Sequence, residues 1–473
     1  MTMWIPALQE DAQPLYKALA EAMERDVFAG RLRPGDRLPT HRDLADALGV
    51  SVSTVTKGYA EAARRGLAAG TVGRGMFVAS DATAAPSLVA PEPHAPGMVE
   101  LGLIEPLTGL DPDVGLALRR LARSRDLNLY LRYTDPRGLP EHREAGVAWA
   151  GRYHMPARPE DVVVCAGSQH ALTCAFAAQF RPGDRIATDC LTYPGVKKLA
   201  ALFGLRLVPV PMDAAGMTPE GLDAACRREA VKGVYLIPGL HNPTTLSMPL
   251  ARRQAIAAMA ERHDLAVVED AAYDLTAFDP PAPLSGAAAP AEVIPPVAAL
   301  IPDRCVYVAG VSKAMAAGLR VAFAIAPGRC RARMAEAVLH TMWMTPPLNA
   351  ALVAQWIADG TADRTLRAKH AEAAHRNMVA RAALGGLSFA SLPAGYFIWL
   401  HLPAPWTGAS FEASARGHGI NLFGAERFVV GDTPAPAAAR VSLTGTPDRA
   451  ALGRALGVLV DILAGRTPPP LVL

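Results

Sequence analysis

From about residue 99 onward, short unbroken apolar runs alternate with longer amphipathic stretches, and this pattern narrows the possible folds more than any other feature. The runs are Val162-Val163-Val164-Cys165, Arg185-Ile186-Ala187, Val234-Tyr235-Leu236-Ile237, Leu265-Ala266-Val267-Val268, Cys305-Val306-Tyr307-Val308 and Val321 to Ile325. A strand that is apolar without alternation is covered on both of its faces. Helical stretches such as Leu250 to His263 separate some of the runs, so the expected core is a mostly parallel α/β sheet between helices. Ligands of such sheets bind beyond the carboxyl ends of the strands.

The residues just past these runs are chemically varied. They include Gly167-Ser168-Gln169, Tyr193, Asn242, Asp270 with Tyr273, and Ser312-Lys313. Singly, each has an ordinary explanation: a solvated lysine, a helix-capping aspartate, a strand-to-helix turn, or a core ring with a wet hydroxyl. Together they offer an amine, a carboxylate, a phenol, an amide, an aromatic face and a Gly-Ser turn at one end of one sheet. Pyridoxal 5′-phosphate can use every one of these. Its aldehyde needs a lysine amine, its ring nitrogen a carboxylate, its ring oxygen donors, and its phosphate the N–H groups of a helix start plus an arginine such as Arg320.

The segments AGSQHAL, TYPG, HNPTT, VVEDAAYD, SKAMAAGLR and AARVSL resemble, in this order, the motifs of fold-type I aminotransferases, over roughly residues 99 to 465. The resemblance implies that Lys313 is the lysine joined to the cofactor and Asp270 the partner of the ring nitrogen. It further implies that Tyr273 and Asn242 contact the ring oxygen and that Tyr193 stacks on the ring. Gly167, Ser168, Gln169, Ser312 and Arg320 would hold the phosphate. Tyr133, in YTDPRG, resembles the tyrosine that reaches the phosphate of a neighbouring subunit, which implies a head-to-tail homodimer. Arg440 resembles the arginine that pairs with a ligand's α-carboxylate, a task suited to a guanidinium fork. Leu191, Thr245, Ala317 and Ala322 depart from common family residues, and none removes a group expected to touch the cofactor.

Residues 1–80 have a different character. Thr40 with Asp43 resembles a capping box, Leu44, Ala45 and Leu48 are candidate core residues, and Gly49 permits a tight turn before Ser51 caps a second helix. On that helix Val55 and Tyr59 would pack inward, leaving Ser53, Thr54, Thr56 and Lys57 free. Residues 71–78 have the pattern of a hairpin with Arg74 near its tip. Such a layout lays the 51–57 face in a DNA major groove, with Arg42, Lys57, Arg64, Arg65 and Arg74 near phosphates. PLYKALA, GRLRPGDRLPTHRDLADALGVS, TVTKGY and GRGMFV resemble the GntR-type winged helix-turn-helix domain. Val52 stands where that family usually has Arg, so readout is expected from Ser51, Ser53, Thr54 or Lys57.

Residues 81–98, DATAAPSLVAPEPHAPGM, form an Ala/Pro-rich linker that spans roughly 50 Å if extended. The expected organisation is therefore a DNA-reading domain (1–80), a linker (81–98) and an aminotransferase-like domain (99–473) with a smaller C-terminal α/β part. That order resembles the MocR/GabR-type regulators. It implies sensing of an amino acid, an amine or a vitamin-type effector, coupled to double-stranded promoter DNA. A working aminotransferase with an appended reader domain is the alternative. The net charge of +3 decides nothing about DNA by itself. The six cysteines form no CxxC pair, so reduced core thiols in a cytoplasmic protein are expected. No bilayer-spanning segment, signal peptide or metal site is expected.

Overall fold

The computed structural model describes residues 4–8, 14–28, 31–32, 36–64, 67–71, 75–78, 98–124, 127–274 and 294–466. Arg65, Arg74, residues 81–97 of the linker and most of the Pro280–Pro296 tract lie outside them.

Near the N-terminus, helices α1 (Leu15–Phe28), α2 (His41–Leu48) and α3 (Val52–Arg64) are followed by the antiparallel pair β1 (Ala68–Thr71) and β2 (Gly75–Val78). The start of α2 follows from Thr40, whose hydroxyl accepts the Asp43 N–H at 3.2 Å. Its end follows from Gly49, at φ +64°, a left-handed conformation that favours glycine. Leu44, Ala45, Val55 and Tyr59 are buried with Leu19 and Met23 of α1, and Leu48 packs at their edge. Helices α1 and α3 meet closely at Gly58, where an added Cβ would lie 2.5 Å from Leu19 Cδ2.

The larger part is built on a seven-stranded sheet. Its spatial order is Val162–Cys165, Ala322–Ile325, Cys305–Gly310, Ala266–Asp270, Gly233–Leu236, Arg185–Asp189 and Arg206–Val210. Only Ala322–Ile325 runs antiparallel to its neighbours. Six of the seven strands are wholly buried or nearly so, because helices cover both faces; this is why their sequences lack alternation. The strand Arg206–Val210, unexpected from sequence, sits at the sheet edge, where Pro209 costs no central ladder bond.

A four-stranded antiparallel sheet, in the order Phe389–Ala390, Phe397–His401, Ala438–Ser442 and Phe423–Gly424, forms the smaller C-terminal α/β part. Ile398, Leu400 and Val441 bury one face against Leu452, Leu456 and Leu459 of the helix Arg449–Leu463. Val99–Glu100 pairs with Ile420–Asn421, so the chain enters this domain along the small sheet's side. No helix among the described residues is long and apolar enough to cross a membrane.

Candidate functional site

Six parallel strands end at the same edge of the large sheet, and the turns after five of them converge on a cavity of about 260 Å³. Ser168, Gln169, Tyr193, Asn242, Asp270, Tyr273, Ser312, Lys313, Arg320 and Arg440 all line it. Arg320 arrives by a different route. It precedes the single antiparallel strand, whose Ala322 pairs with both Cys165 and Gly310, so that strand's beginning meets its neighbours' ends.

Gly167 caps the helix Ser168–Gln179 at φ +85°, and an added Cβ there would lie 2.3 Å from Arg320 Nη2. The close approach brings a guanidinium beside the open N–H groups of a helix start, an arrangement suited to an anion. The Arg320 Nη1 donates weakly to Ser312 Oγ at 3.4 Å. Tyr193 donates to Gln169 Oε1 at 3.2 Å, and burial pushes its phenol up to about 12.

Asp270 is 5% exposed, and its two oxygens accept from the Tyr235 hydroxyl (2.9 Å) and the Ala272 N–H (3.1 Å). Burial outweighs both bonds and raises the carboxyl to about 6. Lys313 is half-buried as a residue, with its amine end enclosed. Its Nζ donates to the Ile104 carbonyl and lies 5.8 Å from the centre of the Tyr273 ring. Burial, followed by the Arg440 charge, lowers this amine to about 8.

Arg440 comes from the small sheet. Its Nη1 donates to Asn242 Oδ1 and its Nη2 to the Gly102 carbonyl, both at 2.6 Å. The rings of Phe397, Phe423 and Phe428 surround the guanidinium at 5.7, 5.5 and 4.9 Å. Its buried Nε has no hydrogen-bond partner among the described residues. Burial lowers this arginine to about 10. The Gly102 loop is itself held by Glu100, which accepts the Gly102 and Leu103 N–H groups at 2.6 Å and the Asn421 amide at 2.9 and 3.0 Å.

Sequence reasoning missed Tyr235, the Leu103–Ile104 wall and the three-phenylalanine surround. Tyr235 left a signal, a phenol inside an apolar run one strand away from Asp270. The other two depend on long-range register. Tyr133 does not join the cavity: it is 81% exposed, and its ring centre lies 5.4 Å from that of Trp343.

In the N-terminal unit, Arg42, Ser51, Val52, Ser53, Thr56 and Lys57 are exposed on one side of the α2–α3 pair. The expectation that the hydroxyls stand free needs correction. Ser51 Oγ accepts the Thr54 N–H and lies 2.9 Å from Ser53 Oγ and 2.8 Å from Thr54 Oγ1. Thr54 is half-buried, and Thr56 donates to the Val52 carbonyl. Helix starts leave N–H groups open, and neighbouring hydroxyls turn inward to satisfy them and one another. Lys57 and Arg42 remain exposed long cations on these helices.

The six cysteines are free thiols, four of them buried. Three ligand-type atoms, from Cys165, His170 and Cys174, lie within 4.8 Å of one another, a grouping the C-x4-H-x3-C spacing could have disclosed. The Ala166 N–H donates to His170 Nδ1 at 3.0 Å, so the neutral ring carries its proton on Nε2. That Nε2 faces Cys174 Sγ at 3.3 Å and Thr341 Oγ1 at 2.7 Å, as a donor rather than as a lone pair for a cation.

Residues 15–78 match the family described as bacterial regulatory proteins, gntR family, and residues 96–459 match aminotransferase class I and II. An uncharacterized HTH-type transcriptional regulator, YdeF of Bacillus subtilis (strain 168), is 31% identical over 97% of this chain and 96% of its own length. The chain belongs to the HTH-type transcriptional regulators that carry a class I and II aminotransferase domain. Another relative, the vitamin B6 salvage pathway transcriptional repressor PtsJ of Salmonella typhimurium, is 30% identical over 52% of this chain and 55% of its own. Among solved structures, LysN of Thermus thermophilus, an alpha-aminoadipate aminotransferase complexed with N-(5′-phosphopyridoxyl)-L-leucine, is similar with a TM-score of 0.69. That match has 25% identity and covers 82% of this chain and 96% of LysN. The regulator's large domain therefore has the fold-type I architecture.

Proposed function

We propose that this regulator is of the MocR/GabR type and uses pyridoxal 5′-phosphate, held at Lys313, to sense a small amino acid, amine or vitamin-type effector and adjust its grip on promoter DNA. The observation that carries the reading is the complete set of cofactor-suited groups around Lys313, in a chain that also bears a gntR-family domain. Their fit to the cofactor rests on three features: a buried carboxylate at Asp270, an enclosed amine at Lys313, and the cradle at Gly167 that a single methyl would fill.

When bound, pyridoxal 5′-phosphate supplies an aldehyde reactive toward amines and an electron-withdrawing ring. Lys313 offers an amine that is partly uncharged near neutral pH, since burial lowers it to about 8. Asp270 would hold a proton at the ring nitrogen, with Tyr235 fixing the carboxylate's orientation. Tyr273 and Asn242 would hold the ring oxygen, and Tyr193 would cover the ring face. Gly167, Ser168, Gln169, Ser312 and Arg320 would hold the phosphate. Tyr133, exposed on its own subunit, would reach the partner subunit's site in a head-to-tail homodimer.

Arg440 takes an effector's carboxylate, and in doing so trades its bond to the Gly102 carbonyl for one to the effector. The 102–104 loop moves as that bond is exchanged. The strand Val99–Glu100 connects it to the 81–98 linker, which joins the 1–80 reader to the 99–473 sensor. Regulation then requires that the effector bind two arrangements of the dimer unequally. In the reader, Lys57, Arg42 and Arg74 contact phosphates of double-stranded half-sites, and Ser51, Ser53 and Thr54 shape the helix start that enters the groove. A cytoplasmic site of action follows from this role.

The test is a panel of amino acids and amines screened against the cofactor's absorbance, with each hit carried into DNA-binding measurements. Hits that change both absorbance and DNA affinity without keto-acid production support sensing. Steady keto-acid production, with DNA affinity indifferent to every hit, overturns it in favour of an aminotransferase.

A further inference from the structure

Lys369 lies within the helix Thr361–Ala383 of the C-terminal half, and its side chain is wholly buried. A buried ammonium is strongly disfavoured unless it is paired and hydrogen-bonded. Here Nζ donates to Asp111 Oδ1 and to the Met315 carbonyl, both at 2.5 Å. Each acceptor leads to Lys313. Met315 is two residues beyond it in the same turn. Asp111 closes the short turn Thr108–Leu110, in the segment whose Ile104 carbonyl takes the Lys313 amine. The Tyr396 hydroxyl adds a third tie, donating to the Lys313 carbonyl at 3.2 Å. Three distant stretches of chain thus converge on this turn, and Lys369 brings the full charge among these ties.

We propose that Lys369 is a positioning residue for Lys313: paired with Asp111, it fixes the Lys313 turn against the 102–111 segment and sets the electrostatic balance around the Lys313 amine. The use of that amine rests on the reading that Lys313 carries pyridoxal 5′-phosphate; the positioning itself does not. An ordinary buried ion pair would merely fasten the helix to the sheet. The two roles differ in what happens at a third group.

The amine is faced by Arg440 and Arg320, by Glu105 of the 102–111 segment, by the Tyr273 ring, and by Lys369 with its partner Asp111. Burial is the largest influence lowering it, Arg440 the next, and Lys369 acts in the same direction. Lys369→Met removes a cation and leaves Asp111 unbalanced, so the amine should hold its proton to higher pH. Asp111→Asn leaves Lys369 unbalanced and should have the opposite effect. Each shift should be about half a pH unit or more, the scale of one partly screened charge. The double variant Lys369→Met with Asp111→Asn should return close to the parent. So should Lys369→Arg, which keeps the charge.

The experiment measures acetylation of Lys313 by acetic anhydride across pH in the full-length protein without added cofactor, followed by peptide mass spectrometry. Opposite shifts in the two single variants, with recovery in the double, support the positioning role. Unmoved midpoints, or shifts of the same sign, overturn it. The double variant keeps a neutral pair of similar size, so it reports even where Lys369→Met alone fails to fold; a double-variant midpoint far from the parent also overturns the role. Adding pyridoxal 5′-phosphate to the parent should shield Lys313 from acetylation. Failure of that control alone counts against the cofactor reading and leaves the charge test standing.

Discussion

Replacing Asp270 with Asn should make the cofactor-free protein more stable at neutral pH while weakening its hold on pyridoxal 5′-phosphate. Burial raises the Asp270 carboxyl from 3.8 to about 6. A difference of roughly two units corresponds to about 3 kcal/mol of destabilisation once the group is ionised in both states. The native state binds more protons than the unfolded chain between the two values, so stability falls as pH rises through that window and levels off above it. Asn has no charge to bury, but it has only one acceptor oxygen for the two donors now on Asp270, the Tyr235 hydroxyl and the Ala272 N–H. One weakened bond costs about 1 kcal/mol, and the net gain is about 2 kcal/mol at pH 8. The gap between variant and parent should close as pH falls toward 4. Urea unfolding followed by tryptophan fluorescence suits the measurement, because Trp149, Trp356 and Trp399 are all buried in the large domain. Burial also raises Glu269 to about 7 and Asp274 to about 6; Glu269 cancels in the comparison, whereas Asp274 is raised partly by the Asp270 charge, so losing that charge adds to the variant's advantage at pH 8. Parallel stability profiles for the two proteins from pH 4 to 8 would refute the reasoning.

Gly167→Ala forces a methyl against the Arg320 guanidinium at a positive φ, and should lower pyridoxal 5′-phosphate affinity about tenfold or more, measured by equilibrium dialysis. An unchanged affinity would mean that the Gly167 cradle does not hold the phosphate. Lys57→Ala should weaken DNA binding across sequences and reduce the salt-dependence slope by about one, read from fluorescence anisotropy at several salt concentrations. Arg440→Ala should selectively weaken effectors bearing a carboxylate, and amines without one should bind as before in the absorbance assay.

The large domain was legible because burial on both faces writes itself as uninterrupted apolar runs, and the chemistry follows those runs within a few residues. The sequence alone therefore places Lys313, Asp270 and Asn242 at one sheet edge, where all three line the cavity. Arg206–Val210 was not, since an edge strand with alternating exposure and a proline carries a weak signal. Arg440 was found only by resemblance; its place in the cavity depends on the register of Phe423, Arg440 and Trp399 across the small sheet. In the sequence, Lys369 is one charge among several in a polar helix. Nothing local marks it as buried, because its partners are 258 residues away at Asp111 and 54 away at Met315. The reader helices were legible from Thr40, Gly49 and Ser51, yet the hydroxyls of Ser51, Ser53 and Thr54 proved to be occupied with one another.

Whether Lys313 is the covalent contact of pyridoxal 5′-phosphate in this DNA-binding regulator is tested by borohydride reduction of the full-length protein incubated with the cofactor, followed by peptide mass spectrometry. One reduced pyridoxyl adduct is expected, on Lys313, and it should be lost in Lys313→Ala. An adduct confined to another lysine, or none at all, would contradict it.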